Sequence, residues 1–314
     1  HEKTEGKNAS IFELNGVPQL SKALPLALQH VVAMIVGCVT PAIIVAGVAG
    51  LEGANRVMLI QSALVVSALS TFLQLFPIGP KNSFRMGAGL PVIMGTSFAY
   101  VASMQAIAAD TGIAAIFGAQ IIGGIIAMIH WIFIDKIRKV FPPLVTGTVV
   151  FTIGLSLYPT AVNYMAGGAS SGNYGHWTKL AGSIITLAIV TFLNHFTKGF
   201  LKLASILIGI ICGYIIAACF GMVDLSAVAQ ASFFQMPQIM HFGIQFDPSS
   251  CIAIGLLFAI NAIQAIGDFT ATTTGGMDRE PTDKELKGAI VGYGCTNVIG
   301  AFLGVCRLLP TVRM

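Results

Sequence analysis

The sequence predicts an all-α polytopic membrane protein, and three observations support that class. First, 55% of the residues are hydrophobic, only 10% are charged, and the mean hydropathy is +0.83. Such a composition is typical of chains that cross a bilayer several times rather than of soluble domains. Second, nine apolar stretches approach the roughly twenty residues that a spanning helix needs. Third, lysine and arginine fall almost entirely on alternate sides of those stretches.

The nine apolar stretches are predicted to be membrane helices. They cover residues 24–50, 57–76, 86–109, 113–134, 144–163, 180–197, 200–222, 251–274 and 288–305. With a cytoplasmic N-terminus, thirteen lysines and arginines lie on the inner side, whereas the outer loops hold only Arg56 and Lys179. By the positive-inside rule, residues 1–23 are therefore cytoplasmic and the chain is a multi-pass protein of the plasma or inner membrane.

The third stretch is predicted to be discontinuous. Residues 86–95 include three glycines and Pro91, which makes a continuous helix unfavourable. Irregular backbone at membrane depth is tolerated only where it is buried in protein or lines a cavity. In transporters, a half-helix after an extended piece presents free N–H groups to a substrate. A glycine-rich helix packed closely on its neighbours is the alternative.

The eighth stretch carries four polar residues at steps of three, four and four, namely Asn261, Gln264, Asp268 and Thr272. These steps place all four on one face of a helix, which we call the Asn261–Thr272 stripe. A carboxylate at mid-membrane depth costs about 3 kcal/mol on insertion scales. We therefore expect the stripe to face a watery cavity or a polar ligand, with Asp268 in a substrate or ion site. A polar seam between two helices is the alternative.

Other features admit a structural interpretation. Gln29 and His30 lie near the start of the first stretch, where His30 could bind a ligand or form a hydrogen bond with a neighbouring helix. Pro142 and Pro143 predict a rigid start to the fifth stretch, and residues 224–250 predict an outer linker.

Several function classes are not indicated. The six cysteines show neither paired spacing nor a Cys/His cluster, so no disulfide framework or metal site is expected. No nucleophile–base order and no phosphate-binding glycine loop argues for an enzyme. The net charge of +4 is modest and requires no nucleic-acid partner. No cofactor is expected.

Taken in order, the motifs resemble those of the nucleobase–ascorbate transporter family, the xanthine/uracil permeases. They are Gln29-His30, Gly95-Thr-Ser-Phe98-Ala, Phe141-Pro-Pro-Leu-Val-Thr-Gly147 with Ile153-Gly-Leu155, Gly221-Met-Val-Asp224, Gly267-Asp268-Phe-Thr-Ala-Thr272, and the loop Gly275–Gly288. The match covers almost the whole chain. Its Gly-Asp-Phe-Thr-Ala-Thr motif resembles the purine (xanthine or urate) branch.

The resemblance implies a fold of two inverted seven-helix repeats, of which this chain would hold the first repeat and two helices of the second. Residues 24–134 and 251–305 would form core-domain helices 1–4 and 8–9, and residues 135–223 gate-domain helices 5–7. The implied function is proton- or cation-coupled transport of a purine base by movement of core against gate. A homodimer is a further expectation.

The resemblance also implies roles for single residues. Gly95, Thr96, Ser97, Phe98 and Ala99 would hold the base, with Phe98 stacking on it. Gln264 and Asp268 would bind the base or couple its transport. The coupling or bracing residues would be His30, Gln29, Asn261, Thr272 and Asp268.

Two departures from the family pattern are present. Gln264 stands where the family has a glutamate, and an amide offers one acceptor oxygen and does not titrate. The tail 306–314 reads Cys-Arg-Leu-Leu-Pro-Thr-Val-Arg-Met in place of the family's Pro-Thr-x-(Thr/Ser) motif. One back-translation of this tail restores the motif in another frame, which predicts a frameshift and a chain truncated after the ninth helix. A non-transporting fragment is therefore the alternative function, and a channel or anion carrier is a weaker third option.

Overall fold

The computed structural model describes residues 20–79, 85–130, 132, 148, 151–152, 154–168, 174–198, 200–203, 205–223, 238–304 and 308–310. Most of them are helical, which confirms the all-α class. The α-helices are α1 (Leu20–Val48), α2 (Gly53–Leu75), α3 (Val101–Asp110), α4 (Ile113–His130), α5 (Tyr158–Met165), α6 (Trp177–Phe196), α7 (Phe200–Leu203), α8 (Ser205–Cys219), α9 (Pro248–Met277) and α10 (Asp283–Phe302). A 3₁₀-helix covers Phe98–Tyr100, and the two short strands are β1 (Met94–Thr96) and β2 (Leu308–Pro310).

The helices follow the predicted apolar stretches closely. The first, second, fourth, sixth, eighth and ninth stretches correspond to α1, α2, α4, α6, α9 and α10. The seventh is divided between α7 and α8. In the fifth, residues 148, 151–152 and 154–156 are helical and α5 forms its end. Within the described residues, α2, α6 and α9 are long and apolar enough to cross a membrane. Pro142, Pro143 and most of the outer linker lie outside the described residues.

Both ends of α9 are fixed by local chemistry. The Asp247 carboxylate accepts a hydrogen bond from the Ser250 amide at 2.8 Å, and Pro248 occupies the first turn, where its missing N–H has no helical partner. The helix ends at Met277, and the following residue, Asp278, has a φ of 51° in the left-handed region. The boundaries of α9 therefore follow from residues that sequence reasoning associates with helix ends.

The start of α10 is fixed by a capping box. The Thr282 hydroxyl accepts from the Glu285 amide at 3.3 Å, and the Glu285 carboxylate accepts from the Thr282 amide at 2.8 Å. Arg279 donates two hydrogen bonds to the same carboxylate, at 2.9 and 2.7 Å. The bonds from Arg279 lower the pKa of Glu285 to about 2. The loop between α9 and α10 is thus an ordered ionic connection.

The chain divides into two compact units. The first holds α2–α4, the two strands, α9, α10 and most of α1. The second holds α5–α8 together with the segment Ala27–Ala33 of α1. The core and gate roles predicted for these helices, and the repeat symmetry, stay predictions.

The core of the first unit lies where α4 packs against α9 and α10. Its largest buried side chains include Tyr100, Phe117, Phe258 and Tyr293. An added methyl group at Gly124 would lie 2.9 Å from the Gly294 carbonyl oxygen, so the small residues let the α4 and α10 backbones approach closely.

Candidate functional site

The third apolar stretch is discontinuous, as the sequence predicts. Residues 85–93 are non-helical, β1 and the 3₁₀-helix follow, and regular helix begins only at Val101. Gly87 and Gly89 have φ angles of 107° and 72°, which disfavour a side chain. A glycine-rich continuous helix is thereby excluded for this stretch.

Strand β1 pairs with a second strand along one edge, and side chains of α2 form hydrogen bonds with its main chain along the other edge. It pairs with β2 in antiparallel register, with Met94 opposite Pro310 and Thr96 opposite Leu308. The Thr96 hydroxyl donates to the Cys38 carbonyl of α1 at 2.6 Å. Leu308–Pro310 fall in the segment predicted as an aberrant tail, and here they pair with the predicted site.

The predicted base-holding residues surround the end of β1. Gly95, Thr96 and Ser97 are buried, and Phe98 and Ala99 are half-buried. The Ser97 hydroxyl accepts from the Ala99 amide at 3.2 Å and so caps the 3₁₀-helix. This cap explains why the chain turns from extended to helical geometry at Ser97.

The Asn261–Thr272 stripe lies along one edge of the buried face of α9. Asn261 is 1% exposed, whereas Gln264, Asp268 and Thr272 are half-buried. The Thr272 hydroxyl donates to the Asp268 carbonyl at 3.0 Å, and the Asn261 amide nitrogen donates to the Leu257 carbonyl at 3.0 Å. Both groups are therefore partly satisfied by α9 itself.

Three side chains of the stripe have acceptor oxygens that no described residue donates to. Among the described residues, no group donates to the buried amide oxygens of Asn261 and Gln264. The Asp268 carboxylate likewise makes no hydrogen bond or ion pair within the described part of the chain. A buried acceptor without a donor is destabilising. These three side chains are consequently suited to a ligand that donates N–H groups, or to a cation.

The discontinuous stretch meets α9 at two levels. Tyr100 is the last residue of the 3₁₀-helix. Its hydroxyl donates a hydrogen bond to the Leu257 carbonyl at 2.8 Å, and the centre of its ring lies 5.6 Å from that of the Phe258 ring. Farther along α9, Ile266 and Phe269 share a buried cluster with Leu90 and Val92.

Residues 94–99 lie between these two contacts along the chain. Strand β2, the pairing partner of β1, also contacts α9.

The roles predicted for His30 and Gln29 stay predictions. His30 is half-buried and belongs to the segment of α1 that groups with the second unit. The side chain of Gln29 lies outside the described residues. Within the described part of the chain, no three His, Cys, Asp or Glu side chains could hold a metal ion together.

Sequence reasoning did not single out the polar side chains that hold the discontinuous stretch. Ser67, Thr71 and Gln74 of α2, which we call the α2 row, form hydrogen bonds with the main chain of residues 88–94. Their spacing of four and three residues places them on one helix face and could have identified them.

Comparisons with known proteins give a family match and several named relatives. The Xan_ur_permease model, described as "Permease family", matches residues 21–311, a range that includes β2. A Clostridium perfringens protein named as a purine permease, CPE0397, is 33% identical over 97% of this chain and 67% of its own length. The xanthine permease of Bacillus subtilis is 36% identical over 80% of this chain and 56% of its own length.

A third relative, the uric acid permease PucJ of Bacillus subtilis, is 35% identical over 92% of this chain and 64% of its own length. The chain thus spans between about half and two thirds of the length of these relatives. The family match covers nearly the whole chain and confirms the resemblance of the motifs. The chain belongs to the xanthine/uracil permease family.

Proposed function

We propose that this protein is a secondary active transporter of purine bases such as xanthine or urate, coupled to protons or another cation. The observation that carries the proposal is that the side-chain oxygens of Asn261, Gln264 and Asp268 have no hydrogen-bond donor among the described residues, on a helix that contacts the discontinuous third stretch. The relatives named for xanthine, uric acid and purine transport support the same substrate class.

The proposed binding chemistry follows from the edges of the base. A lactam-type purine carries N–H donors, and amide and carboxylate oxygens accept them. Gln264 offers one acceptor oxygen and two donor hydrogens, so it would recognise a C=O beside an N–H. Asp268 would be the titratable group of the stripe, and Phe98 would stack on the flat ring.

The remaining roles are proposed from the sequence patterns. Residues 95–97 would contribute main-chain groups, and Asn261 and Thr272 would brace the stripe. His30 and Gln29 would act from α1. The N-terminus would be cytoplasmic, the core (24–134 and 251–305) would move against the gate (135–223), and the protein would act in the lipid bilayer, with a homodimer as its assembly.

Uptake of radiolabelled xanthine, urate and uracil by a permease-deficient bacterial strain tests this proposal. Asp268→Asn is expected to lower uptake at least about tenfold, because a hydrogen bond to a charged group contributes about 1.5–3 kcal/mol. Gln264→Glu is expected to change the order of preference among the three bases, because it exchanges a donor for an acceptor.

Thr270→Val is the matched control. Thr270 lies on the opposite face of α9, and its hydroxyl donates to the Ile266 carbonyl of the same helix. Its uptake should stay within about twofold of the parent. Equal losses in the Asp268 and Thr270 variants would contradict the site. A parent chain that binds base in membranes without accumulating it would favour the non-transporting alternative.

A further inference from the structure

The main chain of residues 88–94 needs hydrogen-bond partners that a helix would otherwise supply. In a membrane core, each unsatisfied N–H or C=O group costs several kcal/mol. Strand β2 covers one edge of β1, and α2 lies against the other. The partners on that second edge come from the α2 row.

Thr71 is oriented as an acceptor. Its hydroxyl proton goes to the Ser67 carbonyl of its own helix at 2.8 Å. The oxygen lone pairs therefore remain for the Met94 amide, which donates to Thr71 at 3.0 Å. A threonine in a helix thus serves as a substitute strand partner.

Ser67 completes the pairing of the same residue. Its hydroxyl donates to the Met94 carbonyl, so both main-chain groups of Met94 bond to α2. Ser67 also accepts from the Cys38 thiol at 3.4 Å, which connects this contact with α1. These bonds therefore hold Met94 in place, and Met94 directly precedes Gly95, the first of the predicted base-holding residues.

Gln74 fixes the beginning of the non-helical segment. Its side-chain oxygen accepts from the Ala88 amide at 2.9 Å, and its side-chain nitrogen donates to the Ala289 carbonyl of α10 at 3.0 Å. Its main-chain carbonyl, near the C-terminal end of α2, accepts from the Gly89 amide at 2.7 Å. Gln74 therefore joins α2, the segment and α10 at one point.

We propose that Ser67, Thr71 and Gln74 are positioning residues that fix the path of residues 88–94 and, through it, the placement of Gly95–Ala99 beside the Asn261–Thr272 stripe. The effect of this row on substrate affinity rests on the proposed function. Its effect on the main chain does not. The two effects are tested by separate measurements.

Amide hydrogen exchange of the detergent-purified chain tests the main-chain effect. In Thr71→Val, the Met94 amide loses its acceptor, and exchange in residues 88–94 should accelerate at least about tenfold. Thr71→Ser keeps the hydroxyl and should restore protection. Ser70→Ala is the matched control, because Ser70 is as fully buried on α2 as Ser67 but bonds to Thr296 of α10 at 3.1 Å.

Radiolabelled xanthine supplies the second measurement. Thr71→Val and Ser67→Ala should raise the KM for uptake, or the Kd for binding to membranes, about tenfold, with maximal uptake per molecule unchanged. Thr71→Ser should rescue the affinity, and Ser70→Ala should leave it as in the parent. Unchanged hydrogen exchange in Thr71→Val would refute the positioning role of the α2 row. Faster exchange with an unaltered affinity for xanthine would refute it as well. A parent chain that neither binds nor takes up any base refutes the proposed function. The hydrogen-exchange result then still tests whether the α2 row fixes residues 88–94.

Discussion

Replacing Gln74 by leucine should strongly destabilise the first unit. Gln74 is fully buried, and its side chain bonds to the Ala88 amide and the Ala289 carbonyl. Leucine has a similar volume but leaves both main-chain groups without a partner. At about 1–3 kcal/mol for each unsatisfied group, we expect a loss of about 2–6 kcal/mol in the free energy of unfolding. Titration of the detergent-purified chain with a denaturing detergent measures this loss.

Gln61→Leu is the control on the same helix. The Gln61 side-chain oxygen is buried, and no described residue donates to it. Removing an acceptor that has no donor should leave stability unchanged or raise it by about 1 kcal/mol. The same substitution is therefore expected to be strongly destabilising at Gln74 and neutral or mildly stabilising at Gln61. Similar losses at both sites would refute the argument, because burial alone and not hydrogen bonding would then set the effect.

Two further predictions concern α10 and the loop before it. Gly288→Ala should lower the midpoint of thermal unfolding, because the new methyl group would lie 2.3 Å from the Gly87 carbonyl oxygen. Gly276→Ala is the control, because its methyl group would meet open space, and it should be neutral or stabilising by up to about 1 kcal/mol. Equal midpoints would contradict this. Arg279→Gln should be less stable than the parent at pH 6. The hydrogen bond from Arg279 is the largest cause that lowers the pKa of Glu285 from 4.5 to about 2. The stability difference should therefore shrink as the pH falls from 4.5 to 2, and a constant difference would contradict the linkage.

The break in the third stretch could be predicted because it depends on local chemistry. Gly87, Gly89 and Pro91 are unfavourable in any helix, whatever packs around them. The placement of Asn261, Gln264 and Asp268 along one edge of α9 could also be predicted, because helical periodicity alone determines it.

The hydrogen-bond partners of the non-helical segment, residues 88–94, could not be predicted in the same way. Ser67 and Thr71 are common in apolar helices, and their sequence does not show whether the hydroxyl bonds to its own helix or to another segment. Strand β2 was missed because Leu308–Pro310 differ from the family motif, whereas main-chain pairing depends little on side-chain identity. The Thr272 hydroxyl donates to the Asp268 carbonyl of its own helix, and the bracing role of Thr272 stays a prediction.

The pairing of β1 with β2 has a consequence for biosynthesis. Met94 and its partner Pro310 are separated by more than two hundred residues. The ribosome therefore delivers one strand long before the other, while α2 emerges first and is already inserted. Until the second strand arrives, one side of β1 is an exposed template within the bilayer, so quality-control proteases should recognise nascent chains at this stage.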